Sequence, residues 1–228
     1  MKAFIIFFIL GLLGKGIVAQ ERVKNYFPVS ISRAANAKTN GVSIGLITGL
    51  KERQDNVTTN GLRLELVGSG IFLPLISKSP ISEDDFLIKF SEIKFTEKIN
   101  GISISATGMV CADCLVSGVA VGGVGQYSYA HNGIVVSVIM TVVERQNGLQ
   151  MSLFNDCNLM NGIQIGLSNS SVYSSGFQIG VLNKAFRRTS GIQIGVFNTS
   201  KDLNGFQIGV WNVNKKRKMP FINWNFKN

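Results

Sequence analysis

Hydrophobic and polar positions in this chain follow a short repeating unit: a small polar residue, a glycine, then apolar residues at every second position. Ten copies are legible, beginning at Gly41, Gly61, Gly101, Gly118, Gly133, Gly148, Gly162, Gly176, Gly191 and Gly205. The last four, NGIQIGLSN, SGFQIGVLN, SGIQIGVFN and NGFQIGVWN, are nearly identical, and from Gly101 onward the glycines stand 17, 15, 15, 14, 14, 15 and 14 residues apart. A fixed short period marks a repeat architecture. Within a copy the apolar side chains take the first, third and fifth positions after glycine, as Ile192, Ile194 and Val196 do, with Gln193 and Gly195 between them and Asn198 at the end. Strict alternation with β-branched residues predicts strands that bury one face, and the glycine frequency excludes helix. The connecting segments, such as TSKDLN, KAFRRTS and SSVYSS, read as polar turns.

The expected fold is all-β: a β-solenoid of 14–15-residue period with a divergent C-terminal cap. Each copy is then one coil, equivalent residues stack about 4.8 Å apart, and the alternating aliphatics fill the narrow interior. Like side chains meet: Gln150, Gln164, Gln178, Gln193 and Gln207 form one ladder, and Asn155, Asn169, Asn183, Asn198 and Asn212 another, satisfying amide donors and acceptors from coil to coil. The alternative is an antiparallel outer-membrane β-barrel, with aliphatics towards lipid, Gln and Gly towards the lumen, and Ile222, Trp224 and Phe226 in its closing strand. Against the barrel, a one-strand repeat in a meander does not place like residues side by side, and eight-residue strands are short for spanning.

The organisation reads as a signal peptide over 1–19, an N-terminal region with irregular repeats and an insertion over 20–100, the array over 101–214, and a cap over 215–228 in which Trp224 and Phe226 cover the last coil. The leader has an apolar run from Ala3 to Leu13, too short to cross a bilayer comfortably and interrupted by Lys15, with cleavage expected after Ala19. The insertion carries Pro74, Pro80 and the acids Glu83, Asp84 and Asp85, and predicts a loop followed by a short amphipathic helix from Ser82 to Ile93. An exported chain is therefore expected in the periplasm, at the outer membrane or on the cell surface.

Charge adds a candidate binding patch. The formal net charge is +10, and +8 once Lys2 and Lys15 leave with the signal peptide. Much of the excess sits late, in Lys184, Arg187, Arg188, Lys201 and the run Lys215, Lys216, Arg217 and Lys218. Lying mostly between the hydrophobic copies, these charges read first as solvated turns that keep the stack soluble; as a binding patch they suit anionic envelope glycan or lipid headgroups, or another envelope protein, and no nucleic-acid partner is expected.

Chemistry is sparse. Of three cysteines, Cys111 and Cys114 form a CxxC in a β-type segment, and a zinc site has only Cys157 and the single histidine, His131, to add. The cysteines read as a structural disulfide or buried small residues, with the pairing of Cys111, Cys114 and Cys157 left open. His131, in YAHNG, reads as a surface turn histidine, and adjacent acids at 83–85 lack calcium-loop spacing. Gly118 to Gln126 lacks the lysine and following helix of a phosphate loop. No enzyme, cofactor or metal site is expected.

The GhQIGhhN array, preceded by a proline-containing insertion and closed by WNVNKKRKMPFINWNF, resembles an uncharacterised family of exported or surface-exposed repeat proteins of Bacteroidetes and spirochaetes. The resemblance is strongest from Gly148 to Phe226. It implies a bacterial envelope or secreted location and supplies no activity, ligand or site. Some relatives look like lipoproteins, for which this chain lacks the anchoring cysteine. The expected function is a structural or binding role at the envelope, through a flat face of amides and basic turns; the alternative is a barrel or channel scaffold.

Overall fold

The computed structural model describes residues 23–31, 35–48, 56–75 and 93–226. The signal peptide, the helix expected from Ser82 to Ile93 and the acids Glu83, Asp84 and Asp85 are outside or largely outside these residues. The strands are β1 (Lys24–Tyr26), β2 (Val29–Ser30), β3 (Ala37–Thr48), β4 (Val57–Gly68), β5 (Glu97–Ser105), β6 (Val110–Gly122), β7 (Gly125–Ser137), β8 (Met140–Met151), β9 (Phe154–Val213) and β10 (Lys218–Asn225), with a 3-10 helix at Ser69–Leu75. They form one sheet in the order β1-β3-β4-β5-β6-β7-β8-β9-β10, with β2 beside β3.

The pairing is parallel from β1 to β9, and the register is set on the repeat glycines: Gly41 faces Gly61, then Gly101, Gly118, Gly133, Gly148 and Gly162 in turn. Successive coils therefore lie directly upon one another in a β-solenoid, not in an antiparallel barrel. The irregular copies at Gly41 and Gly61 join the same stack in the same register.

β9 is a single 60-residue strand assignment that winds through the last copies. The segments expected as turns are thus strand as well, because their backbone pairs with the coils on either side as the copies' backbone does. Gly191 has φ +140°, and a β-carbon there would stand 2.1 Å from the carbonyl oxygen of Gly176. Only glycine permits both that conformation and that approach at the corner.

The structure reverses the expected direction of the side chains. Gln150, Gln164, Gln178, Gln193 and Gln207 are fully buried, whereas Ile194, Phe197, Ile208 and Trp211 are 39%, 50%, 43% and 44% exposed. Alternation fixes two faces but not which one points inward. Here the inside is thin, and an amide that bonds along the axis satisfies itself within it. Nearer the N-terminus the same inward position holds Ala120 and Val135, which pack with Ile99, Met109, Val116 and Val143 in an apolar core. The first three copies place Ser43, Arg63 and Ser103 there, so the inward column runs from polar to aliphatic and then to amide from Gln150.

Short strands flank the stack at each end. At the first, the Pro28 carbonyl accepts the Val42 amide at 2.8 Å. At the last, β10 runs antiparallel along β9, placing Asn223 beside Gln207 and Trp224 beside Phe206. Asn223 is buried, and Trp224 and Phe226 are exposed. The cap is therefore made by backbone pairing and an asparagine, and the two aromatic rings expected to cover the coil extend its outer surface instead.

Candidate functional site

The interior sets what the outside can present. Gln164 Nε2 donates to Gln150 Oε1 at 3.0 Å, and the next three rungs, Gln178 to Gln164, Gln193 to Gln178 and Gln207 to Gln193, are each 2.7 Å. In Gln164, Gln193 and Gln207 the second amide hydrogen reaches a carbonyl six residues on, as in Gln207 Nε2 to Val213 O at 3.1 Å, and in Gln178 it reaches Ser171 Oγ at 3.1 Å. Asn155, Asn169, Asn183 and Asn198 each donate to the next asparagine at 2.8 Å, ending on Asn212. The glutamine column donates towards the N-terminus and the asparagine column towards the C-terminus, so their dipoles oppose. Gly195 makes room for the second column: a β-carbon there would stand 2.5 Å from Asn183 Nδ2.

The columns also have terminators. Thr141 Oγ1 accepts from Gln150 Nε2 at 2.9 Å and donates to Asn155 Oδ1 at 2.6 Å, starting both. Asn223 Nδ2 closes the glutamine column on Gln207 Oε1 at 2.9 Å, and Arg217 Nε caps Asn223 Oδ1 at 2.9 Å. A third, exposed ladder precedes the glycines, with Asn60 to Asn40 at 2.8 Å, Asn100 to Asn60 at 2.9 Å and Asn147 to Asn132 at 2.7 Å. Sequence reasoning passed over this row, although the repeated Asn-Gly pair is its signal.

With amides inside, the aliphatic and aromatic rows form an outer face. Its first row runs through Ile102, Ile134, Ile163, Phe177 and Phe206, its third-position row through Ile104, Ile179, Ile194 and Ile208, and its edge through Leu182, Phe197 and Trp211, all exposed. No charged residue occupies the first, third, fifth or sixth position of any copy. At about 3.3 Å per residue and 4.8 Å per coil the face measures roughly 18 by 45 Å, larger than the few hundred Å² that soluble monomers leave contiguous. Its backbone donors and acceptors are paired along the stack.

The basic residues take the returning half of the coils. Arg187 and Arg188 lie in KAFRRTS, Arg188 with Asp202 at 3.9 Å, and the Lys184 ammonium rests 4.3 Å from the Phe186 ring. Lys201 and Lys215 are on successive coils, joined by the Lys215 amide to the Lys201 carbonyl at 3.2 Å. Lys216 reaches Asn225 at 3.0 Å, Lys218 opens β10, and Arg217, besides capping Asn223, lies 4.5 Å over Trp224. The patch nominated from sequence is thus divided: Lys184, Arg187 and Arg188 stand on the returning strands, and Lys215, Lys216, Arg217 and Lys218 belong to the cap and its turn.

Two buried groups carry shifted proton affinities. His131 is wholly buried in β7, not on the surface as expected, because the turn-like YAHNG is strand; burial lowers its pKa to about 4. Burial raises Glu144 to about 7, opposed by hydrogen bonds from Tyr127, at 3.1 Å, and Asn158. Cys111 and Cys114 are joined in a disulfide with Cα atoms 5.5 Å apart, and Cys157 is a buried free thiol whose pKa burial pushes up. Glu97 offers an oxygen within 4.8 Å of both bridged sulfurs. Joined to each other, those sulfurs are not thiolate ligands, so the trio does not constitute a metal centre in this state. Glu97 instead lies 3.6 Å from Arg63, which also stands 3.7 Å from Glu65 inside the coil.

The chain matches no protein-family profile, no curated protein and no solved structure. Its site is therefore defined by its own surfaces: an apolar sheet on one side, and a basic, hydroxyl- and amide-bearing sheet on the other.

Proposed function

We propose that this is an exported protein of the bacterial cell envelope with a structural and binding role, and that it lies on a lipid surface through its apolar sheet. The observation that carries this reading is the inverted polarity of the coils, amides inside and aliphatics outside. That is the arrangement of strands whose outer neighbour is hydrocarbon. Because the backbone along this face is paired from coil to coil, contact with lipid strands none of the hydrogen-bonding groups between coils. The outward positions also vary freely in shape, with Leu149, Ile163, Phe177, Ile192 and Phe206 at equivalent places, which a fluid partner accommodates more readily than a rigid one. A non-catalytic role is supported by the position of His131, sealed inside the coils away from any substrate.

The test is co-sedimentation of the protein with phosphatidylethanolamine–phosphatidylglycerol vesicles. Binding is expected to persist in high salt, with emission of Trp211 and Trp224 moving to the blue. The pair Ile194→Lys and Ile208→Lys is expected to lower partitioning at least tenfold with an unchanged circular dichroism spectrum. Comparing variants of one chain holds the contribution of the N-terminal apolar segment constant. Failure of the parent to partition, or a face-to-face dimer in water that vesicles do not dissociate, overturns the reading; the dimer would assign the face to a second copy.

A further inference from the structure

On the returning side a groove of about 300 Å³ runs along the axis across successive coils. Arg145 and Arg188 stand at its ends, Leu159 and Tyr173 line it between them, and Asn161 and Ser175 lie along its rim. Arg145 and Leu159 face one another in register, and three coil steps put the two arginines about 14 Å apart.

We propose that this groove binds an acidic oligosaccharide. A sugar ring offers a C–H face suited to the exposed Tyr173 ring and Leu159, and hydroxyls suited to Asn161 and Ser175. Its carboxylates suit guanidinium groups, which grip planar acids in paired hydrogen bonds. Arg188 already lies near Asp202, at 3.9 Å in an exposed pair, an interaction weak enough for a ligand carboxylate to replace. The groove lies on the returning strands, opposite the apolar sheet, so it stays open to water whatever covers that sheet. The inference does not depend on lipid attachment.

Titration calorimetry with trigalacturonic acid tests it, with cellotriose as the neutral control of the same length. The acid is expected to bind the full chain at micromolar to low millimolar concentration, and cellotriose at least tenfold more weakly. Arg145→Gln, Arg188→Gln and Tyr173→Ala are each expected to lower affinity about tenfold, whereas Lys201→Gln, outside the groove, leaves it unchanged. Absence of binding by the acid at millimolar concentration overturns the assignment. So does equal binding of cellotriose, and so does a loss in Lys201→Gln as large as in Arg145→Gln, which marks diffuse charge attraction in place of a site. Vesicle partitioning of the groove variants is expected to match the parent, separating this result from the fate of the lipid reading.

Discussion

Replacing Gln178 by leucine, a change that suits most protein interiors, is expected to destabilise this one by about 3 kcal/mol. It leaves Gln164 Oε1 and Ser171 Oγ without their donor and Gln193 Nε2 without its acceptor. The neighbouring Ile179→Gln points outward and is expected to change urea stability by less than about 0.5 kcal/mol. Reversal of that order in urea unfolding would contradict the amide core. His131 and Glu144 make a second prediction. Between about pH 6.5 and 4 the unfolded chain binds a proton that buried His131 refuses, so its contribution to stability falls with acid. Between about pH 4.5 and 7 folded Glu144 holds a proton the unfolded chain has lost, so its contribution is full in acid and lost as pH rises. The two slopes oppose, each worth up to about 3 kcal/mol. Urea midpoints of the parent are expected to be nearly flat from pH 4.5 to 6.5, those of His131→Gln to fall with rising pH, and those of Glu144→Gln to rise. The ladder positions themselves were legible, since Gln recurs unchanged in five copies. Their burial was not: Gln and Asn never vary there, while the sixth position runs through Phe154, Ser168, Leu182, Phe197 and Trp211, but alternation alone assigns neither row to the inside.

At the scale of the element, the copies were recognisable as strands because alternation has period two, and the segments between them were not. Ser171, Ser174, Ala185, Thr189, Ser200 and Leu203 all point inward there, yet they differ in polarity from copy to copy and break any hydrophobic alternation. What makes those segments strands is pairing with the coil on each side, a partner-dependent property invisible in local pattern. The same holds for YAHNG, whose histidine goes inside with its strand. The cap shows the converse: its aromatic residues advertised a lid, and Asn223 performs the closure. Asn223→Ala removes the donor to Gln207 Oε1 and the acceptor of Arg217 Nε. Amide hydrogen exchange across Gly205 to Val213 is expected to quicken roughly tenfold, a local loss of about 1.4 kcal/mol, while exchange around Gln150 stays as in the parent. Equal acceleration throughout the stack would show that the cap has no local role.

For the whole molecule, each of the two architectures weighed from sequence held part of the answer. The solenoid supplied the parallel stacking, and the barrel supplied the direction of the side chains, with aliphatics outward and Gln and Gly inward. The result is a slab with one apolar and one basic, polar sheet, the surfaces for which lipid and an acidic glycan are proposed above. By itself the sequence determined the period, the strand type, the coil-to-coil meeting of like residues and the sites of the ladders, because repetition at a fixed spacing forces equivalent positions together. Only the tertiary structure decided which face is inside, which cysteines join, where His131 lies and how the basic residues divide between the returning strands and the cap. Those outcomes depend on how thick the coil interior is and on which groups satisfy one another across it, and neither quantity is written in the pattern of a single strand.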